Sequence, residues 1–386
     1  MNVQAGQGVV VNADIAQAEV ARAVVEQAYV AGAAWVDVDW SDGPVRRSGL
    51  THATMESLTD ARPWAMERIR SWAEDEIASV ALVGNPNPTL FAGIDPIRVA
   101  AVRTHELKAR QQAVMEGRWR WTVVAAPNDG WATQIYGEPD VEQLWAAVAK
   151  VMRLDEADPV TQWRERAATL AARAASLNEL QISEIRYTGE GTDLTVGLIP
   201  DRRWTRGSVT DPNGITYMPN IPTQEVFTSP DRRRADGVVR VTRPVVIAGQ
   251  QVEGLRLAFA DGRITEVSAT VGADVARAQL DRDHGARSLG EVAMVDRESR
   301  VAQTDTVFHN TLFDENAGCH VAWGQSLPFA IAGSMKMTPD ERYALGLNAS
   351  SVHTDIVLGG EGLTVTATTP KGQVPLLEND TWVITA

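Results

Sequence analysis

A single cysteine, Cys319, occurs in the 386 residues of the chain. One thiol can form neither an intrachain disulfide nor an all-thiolate zinc site, so any metal must be held by oxygen and imidazole. Long apolar runs are missing as well, and no stretch reaches the roughly 18 uninterrupted apolar residues that a membrane span requires. The N-terminal sequence has no basic region ahead of an apolar one, and the expected location is the cytoplasm. Basic residues are in deficit, with 36 Lys and Arg against 50 Asp and Glu and a net charge of −14. A nucleic-acid backbone would meet mostly repulsion, and no nucleic-acid partner is expected. Repeats and low-complexity tracts are absent. What is there is ordinary globular composition, 44% hydrophobic and 22% charged, in a chain long enough for two or three domains.

The first half alternates between strand and helix patterns. Residues 8 to 13 (GVVVNA) predict a short buried strand, residues 15 to 31 a helix, and residues 33 to 40 (AAWVDVDW) a second strand. This βαβ opening implies a parallel sheet. Helical patterns around 62 to 78 and 95 to 116 flank the apolar run Ile77 to Val83, and RWRWTVVAAPNDGWA reads as a strand leading into a Pro- and Gly-rich loop. Two further helices fall within 139 to 179. The expected N-terminal α/β domain is therefore 1–185. From residue 186 to 386 the pattern predicts an α+β, mainly β, domain, with strand-like runs at 183 to 199, 238 to 249, 252 to 270 and 354 to 369. Ala260-Asp261-Gly262-Arg263 is a hairpin turn signal between two alternating runs.

Six histidines (52, 105, 284, 309, 320 and 353) are the only nitrogen ligands on offer. His353 and Asp355 stand two apart in a strand-like run, which directs both side chains to one face, where they can reach one ion or simply be exposed polar residues. His320 lies between apolar neighbours and by itself reads as a core histidine. Glu225 precedes Val226 and Phe227, and Glu291 stands between Gly290 and the run VAMV. A carboxylate facing an apolar surround is costly unless paired or metal-bound; surface exposure is the alternative for each.

Four ordered blocks change the weight of these residues: 213 to 228 (NGITYMPNIPTQEVFT), 290 to 299 (GEVAMVDRES), 307 to 324 (VFHNTLFDENAGCHVAWG) and 346 to 360 (GLNASSVHTDIVLGG). Together they closely resemble the signature blocks of the aminopeptidase T and aminopeptidase S family of metallopeptidases. The resemblance implies a two-metal exopeptidase acting on peptides or small amides, built from an N-terminal α/β domain and a C-terminal metal-binding domain, and usually a homodimer. It places the metal ligands at Glu225, Glu291, His320, His353 and Asp355. Two histidines and three carboxylates suit a pair of divalent ions about 3.5 to 4 Å apart, supplying an activated water and a Lewis acid for amide hydrolysis. Zinc is preferred, with cobalt, manganese and magnesium as the other ions such a mixed site accepts. Glu291 is the candidate for general base as well as ligand.

One position departs from the family pattern. A tyrosine is expected seven residues past the block-three histidine, and this chain has Leu327. Loss of an oxyanion donor costs on the order of 10²-fold in rate unless another group substitutes, with Tyr343 and Tyr217 as candidates. Trp323 adds to the expected apolar lining, a nucleophilic Cys319 is disfavoured because sequence neighbours point apart, and Arg297 with Glu298 reads as a structural ion pair. The alternatives to an aminopeptidase are an amidohydrolase on a specialised small amide, a ring-cleaving mononuclear iron dioxygenase of the same fold, and a catalytically idle binding protein.

Overall fold

A computed structural model describes residues 1 to 386 except 102–103, 212, 248–249, 361 and 385–386. The predicted strand runs 238 to 249 and 354 to 369 therefore lie in part outside the described residues. The chain divides into two compact units, residues 1–149 with 208–221, and residues 150–207 with 222–386. The expected boundary at 185/186 thus falls inside the second unit. Local periodicity carries no trace of a segment that leaves one unit and returns to the other, which is what 208–221 does.

The first unit is a four-stranded parallel sheet. Its strands are β1 (Gly8–Asp14), β2 (Trp35–Ser41), β3 (Ala78–Val83) and β4 (Arg120–Ala125), in the order β2-β1-β3-β4. Helices cover both faces, which is why GVVV is apolar without alternation. Val9 and Val11 pack with Ala21 and Ala28 of α1 (Ala18–Val30). Val10 faces the other way. It meets Ile69, Trp72 and Ala73 of α4 (Pro63–Glu74) and Ala113 of α6 (Thr104–Met115). Two further helices, α2 (Gly43–His52) and α3 (Met55–Thr59), precede α4, and α5 (Pro96–Ala101) precedes α6.

The stretch predicted as a loop after β4 is instead a helix, α7 (Asp129–Tyr136). Asn128 caps it by accepting from the Trp131 N–H at 3.0 Å. Gly130, read as a breaker, is there for close approach: a Cβ would lie 1.8 Å from the Pro86 carbonyl oxygen. At the open edge of the sheet, the Val123 N–H donates to Pro219 O at 2.7 Å and the Ile221 N–H to Val123 O at 3.1 Å. A buried Arg120–Asp211 ion pair at 2.8 Å fixes the same returning segment to this unit.

The second unit is the mainly β part, with two large antiparallel sheets and a two-stranded one, Val245–Ile247 with Gln250–Val252, among the described residues. Eight strands form one sheet, including Glu184–Gly189, Thr192–Leu198, Pro230–Arg240 and Thr364–Thr369. Five form the other, in the order His353–Val357, His320–Gly324, Leu289–Met294, Val226–Thr228, Thr205–Arg206. A shared core takes Leu194 and Val196 from the first sheet and Val292, Val321 and Ile356 from the second. The helix Pro159–Glu179 adds Leu170, Ala174 and Leu177 to it. The predicted hairpin at 260 to 263 is present, with Asp261 at φ 48° and Gly262 at φ 78° as its turn residues require. Among the described residues no helix is long and apolar enough to cross a membrane.

Candidate metal centre

Cross-strand register in the five-stranded sheet brings the predicted residues together. Ala322 stands opposite Glu291 on one side and Asp355 on the other. One step along, His320 is paired with Ala293 and Val357, and Gly324 with His353. Alternation puts His320, Ala322 and Gly324 on one face, and His353 with Asp355 on the same face of the next strand. The small Ala322 leaves room between the two carboxylates.

Glu291 reaches that face only through a bulge. Leu289 pairs with Trp323 and Glu291 with Ala322, so Gly290 is the extra residue. The bulge lets Leu289 serve the core while Glu291, two positions on, serves the opposite face. Only glycine fits, since a Cβ at 290 would lie 2.3 Å from Gln325 O and 2.5 Å from Gly324 O.

Glu225 is the residue before Val226–Thr228, and the backbone of the residue ahead of it is held at both its N–H and its carbonyl. The Gln224 N–H donates to Asn316 Oδ1 at 2.6 Å, and Arg166 Nη2 donates to Gln224 O at 3.0 Å. The two rings are anchored alike. His320 Nδ1 lies 3.1 Å from Gly318 O and His353 Nδ1 lies 2.7 Å from Gln325 O. A carbonyl only accepts, so each Nδ1 carries the proton and each Nε2 is the nitrogen turned to the cluster.

Those Nε2 atoms stand against carboxylates: His320 is 3.0 Å from Glu225 Oε2, and His353 is 3.2 Å from Glu291 Oε2 and 3.6 Å from Asp355 Oδ1. Two trios result, Glu225 with Glu291 and His320, and Glu291 with His353 and Asp355, each with one ligand atom per residue and all within 4.8 Å of one another. Glu291 is common to both. Glu225, Glu291 and His320 are buried, and Glu225 Oε2, despite its nearness to His320, has no aligned hydrogen-bond donor among the described residues. Atoms bound to one tetrahedral ion at about 2.0 to 2.2 Å sit roughly 3.3 to 3.6 Å apart, so the spacing and donor types fit divalent cations.

The electrostatics agree with that fit. Burial would lower His320, but the carboxylates of Glu225, Asp355 and Glu291 overcome it and push the ring up to about 10. Burial likewise opposes charge on His353, which Asp355 and Glu291 nevertheless hold well above the usual imidazole range. Burial raises Glu291, with Glu225 and Asp355 adding to it. Burial would raise Asp355 too, but His353 and His320 keep it below the ordinary carboxylate range. Without a metal, protons on the rings take the place that cationic charge would fill.

Sequence reasoning missed Glu315. It opens the single helical turn Glu315–Ala317. Its carboxyl is pushed well above the ordinary range, by burial first and then by the charges of Asp355 and Glu225. Its place in the third block, five residues before His320, was the available signal, but nothing in a short turn's spacing says which way it faces.

Other predicted participants lie elsewhere. Trp323 does not line the cluster: alternation turns it into the core, where its Nε1 donates to Gln279 at 2.9 Å. Cys319 is buried on that same core side, its thiol 3.3 Å from Val295 O and pushed up by burial to about 12, which rules out a thiolate nucleophile. Tyr343 stacks on the Arg232 guanidinium at 3.6 Å, and Tyr217 belongs to the first unit. Leu327 is partly buried, its N–H donating to Ser229 Oγ at 2.9 Å just past the Glu225 strand.

With this geometry in place, the comparisons with known proteins are decisive for the family. The model of the thermophilic metalloprotease (M29) family matches residues 1–382. The chain belongs to that family. It is 37% identical to aminopeptidase PepS of Streptococcus thermophilus, covering 100% of this chain and 95% of that one. It is 36% identical to aminopeptidase T of Thermus aquaticus over the same shares. The solved structure of wild-type AmpT from Thermus thermophilus superposes with a TM-score of 0.91 at 34% identity, covering 99% of this chain and 96% of that one. These matches cover nearly the whole length of each chain.

Proposed function

We propose that this M29 chain is a metal-dependent aminopeptidase that removes N-terminal residues from peptides or small amides. The observation that carries the reading is the meeting of Glu225, Glu291, His320, His353 and Asp355 on one sheet face as two trios sharing Glu291. His320 Nε2 with Glu225, and His353 Nε2 with Asp355, would each hold one divalent ion, with Glu291 between them. Zinc suits the mixed nitrogen and oxygen donors best, and cobalt, manganese and magnesium are the alternatives. When bound, the pair supplies Lewis acidity that activates a water and polarises the scissile carbonyl.

The remaining chemistry falls to the chain. Glu315 lies among the ligands without belonging to either trio, and we assign it the proton transfer that Glu291 is too committed to perform. A carbon–oxygen bond forms as water attacks the carbonyl, Glu315 takes the water's proton, and the carbon–nitrogen bond breaks as that proton passes to the leaving amine. The main-chain carbonyls of Gly318 and Gln325 hold the two imidazoles in the tautomer that ligation needs. A homodimer in the cytoplasm completes the reading, both resting on the likeness to the aminopeptidases. The iron dioxygenase alternative is not favoured, because a one-iron site leaves part of this ligand set without work.

Turnover of leucine p-nitroanilide tests the proposal. Chelation abolishes it, zinc, cobalt or manganese restores it, and Glu225→Ala is inactive with every metal. Full activity of the metal-stripped protein or of that variant overturns the assignment.

A further inference from the structure

The first unit holds a cavity of about 240 Å³, room for a ligand of amino-acid size and smaller than typical drug-sized sites. Two guanidiniums, those of Arg68 and Arg110, are part of its lining. Arg68 Nη2 donates to Asp39 Oδ1 at 3.1 Å, and Arg110 Nη2 to Asp39 Oδ2 at 3.0 Å, so two cations share one carboxylate. Arg110 Nη1 also donates to Asn12 Oδ1 at 3.1 Å. Tryptophans fix both planes: Arg68 lies 4.7 Å from the Trp72 ring, and Arg110 lies 5.8 Å from Trp72 and 5.7 Å from Trp119. Even so, among the described residues the buried Nε–H of each arginine has no hydrogen-bond acceptor. A buried donor on a charged group is expensive to leave unmatched.

The place in the fold is a second argument. Asn12 and Asp39 sit in the carboxyl-terminal halves of β1 and β2, and β1 has β2 on one side and β3 on the other. Ligands of open α/β sheets bind outside the carboxyl ends of the strands, the end at which Asn12 and Asp39 stand. The rest of the lining selects among anions. Leu58, Trp64 and Leu107 supply an apolar wall, with Trp64 65% and Leu107 61% exposed and so open to a ligand. Arg62 at the rim is already paired with Asp60 at 3.0 Å, and Glu106 adds a negative charge. Little net positive charge remains here, so a single carboxylate suits the cavity better than a polyanion such as phosphate.

We propose that this cavity binds a carboxylate carried on an apolar body, as either a free apolar amino acid or the C-terminal residue of a peptide presents it. The inference stands apart from the metal-site reading, because the variants that decide it, at Arg110 and Trp64, lie in the first unit and leave the five residues of the metal cluster untouched. Titration calorimetry on the full metal-loaded chain tests it with N-acetyl-L-leucine, whose blocked amine keeps it from being cleaved. N-acetyl-L-leucine binds, and its carboxamide binds about tenfold more weakly or worse. Arg110→Lys and Trp64→Ala each weaken the acid by roughly five- to tenfold; the exposed Trp64 ring can be removed without unfolding the unit. L-leucine tighter than N-acetylglycyl-L-leucine assigns the free amino acid, and the reverse order assigns the peptide end. Equal binding of acid and carboxamide, inorganic phosphate binding as tightly as the acid, no binding of any probe, or wild-type affinity in both variants overturns the proposal.

Discussion

His320 and His353 each commit one ring nitrogen to a main-chain carbonyl, and that fixes what the other nitrogen can do. The two rings of the cluster are thereby oriented by main-chain carbonyls. Glu225→Ala removes a ligand without disturbing the sheet register. It should cost at least about 10²-fold in kcat/KM and lower the bound metal measured by elemental analysis. Glu315→Gln separates ligation from proton transfer. Its kcat should fall by about 10²- to 10⁴-fold while metal content stays at the wild-type level; an unchanged kcat removes Glu315 from the mechanism. Asp380 offers a test outside the site. Burial raises its carboxyl to about 6, and its Oδ2 has no hydrogen-bond partner among the described residues. A carboxyl raised in the fold is penalised once it ionises, so stability is lost as pH rises from the unfolded value through about 6. Asp380→Asn keeps the acceptor for the Gly360 N–H, 3.2 Å from Oδ1 in the wild type, and abolishes the titration. Denaturant melts should show the variant gaining on the wild type between about pH 4 and pH 6, with a constant gain above that. A gain that shrinks with rising pH contradicts the sign.

The element that makes the centre is the bulged strand Leu289–Met294. Its extra residue sends Leu289 into the core and Glu291 to the opposite face, so Gly290→Ala should remove both metal affinity and activity. The alanine methyl meets two carbonyl oxygens that cannot both retreat. Circular dichroism of a folded, inactive variant is the expected outcome, and full activity would show that the bulge is dispensable. Such elements mark the limit of what the sequence reveals. β1 and β3 were legible as continuous apolar runs, because a parallel strand is buried on both faces. His353 and Asp355 were legible as a pair, because two-residue spacing survives in any strand. Neither the bulge nor the facing of Glu315 has a periodicity, and Trp323, apolar and close to His320 in sequence, looked like lining until the alternation of its strand turned it away. Helix α7 was missed because Gly130 and Pro127 read as punctuation, whereas the Asn128 cap and the contact with Pro86 explain why a helix starts there.

At the scale of the whole molecule, the two units differ in what they ask of their surroundings. The first is a covered parallel sheet completed by residues 208–221, a boundary that local pattern could not reveal because it depends on a distant edge pairing. The second carries Glu225, Glu291, Glu315 and Asp355 on or beside one sheet face, an excess of negative charge that only cations relieve. Stripping the metal should lower the thermal midpoint of unfolding and make it rise again with added zinc concentration, as linkage requires for a ligand of the folded state. A midpoint indifferent to chelator and zinc would mean that the cluster is satisfied by protons alone. The central claim is the dinuclear grip of five residues, and calorimetric titration of the metal-free chain with zinc at neutral pH, in buffers of different ionisation enthalpy, tests it most directly. The account predicts two ions bound per chain, with protons released from His320 and His353 as they enter. One ion or none, or two ions bound without proton release, would contradict it.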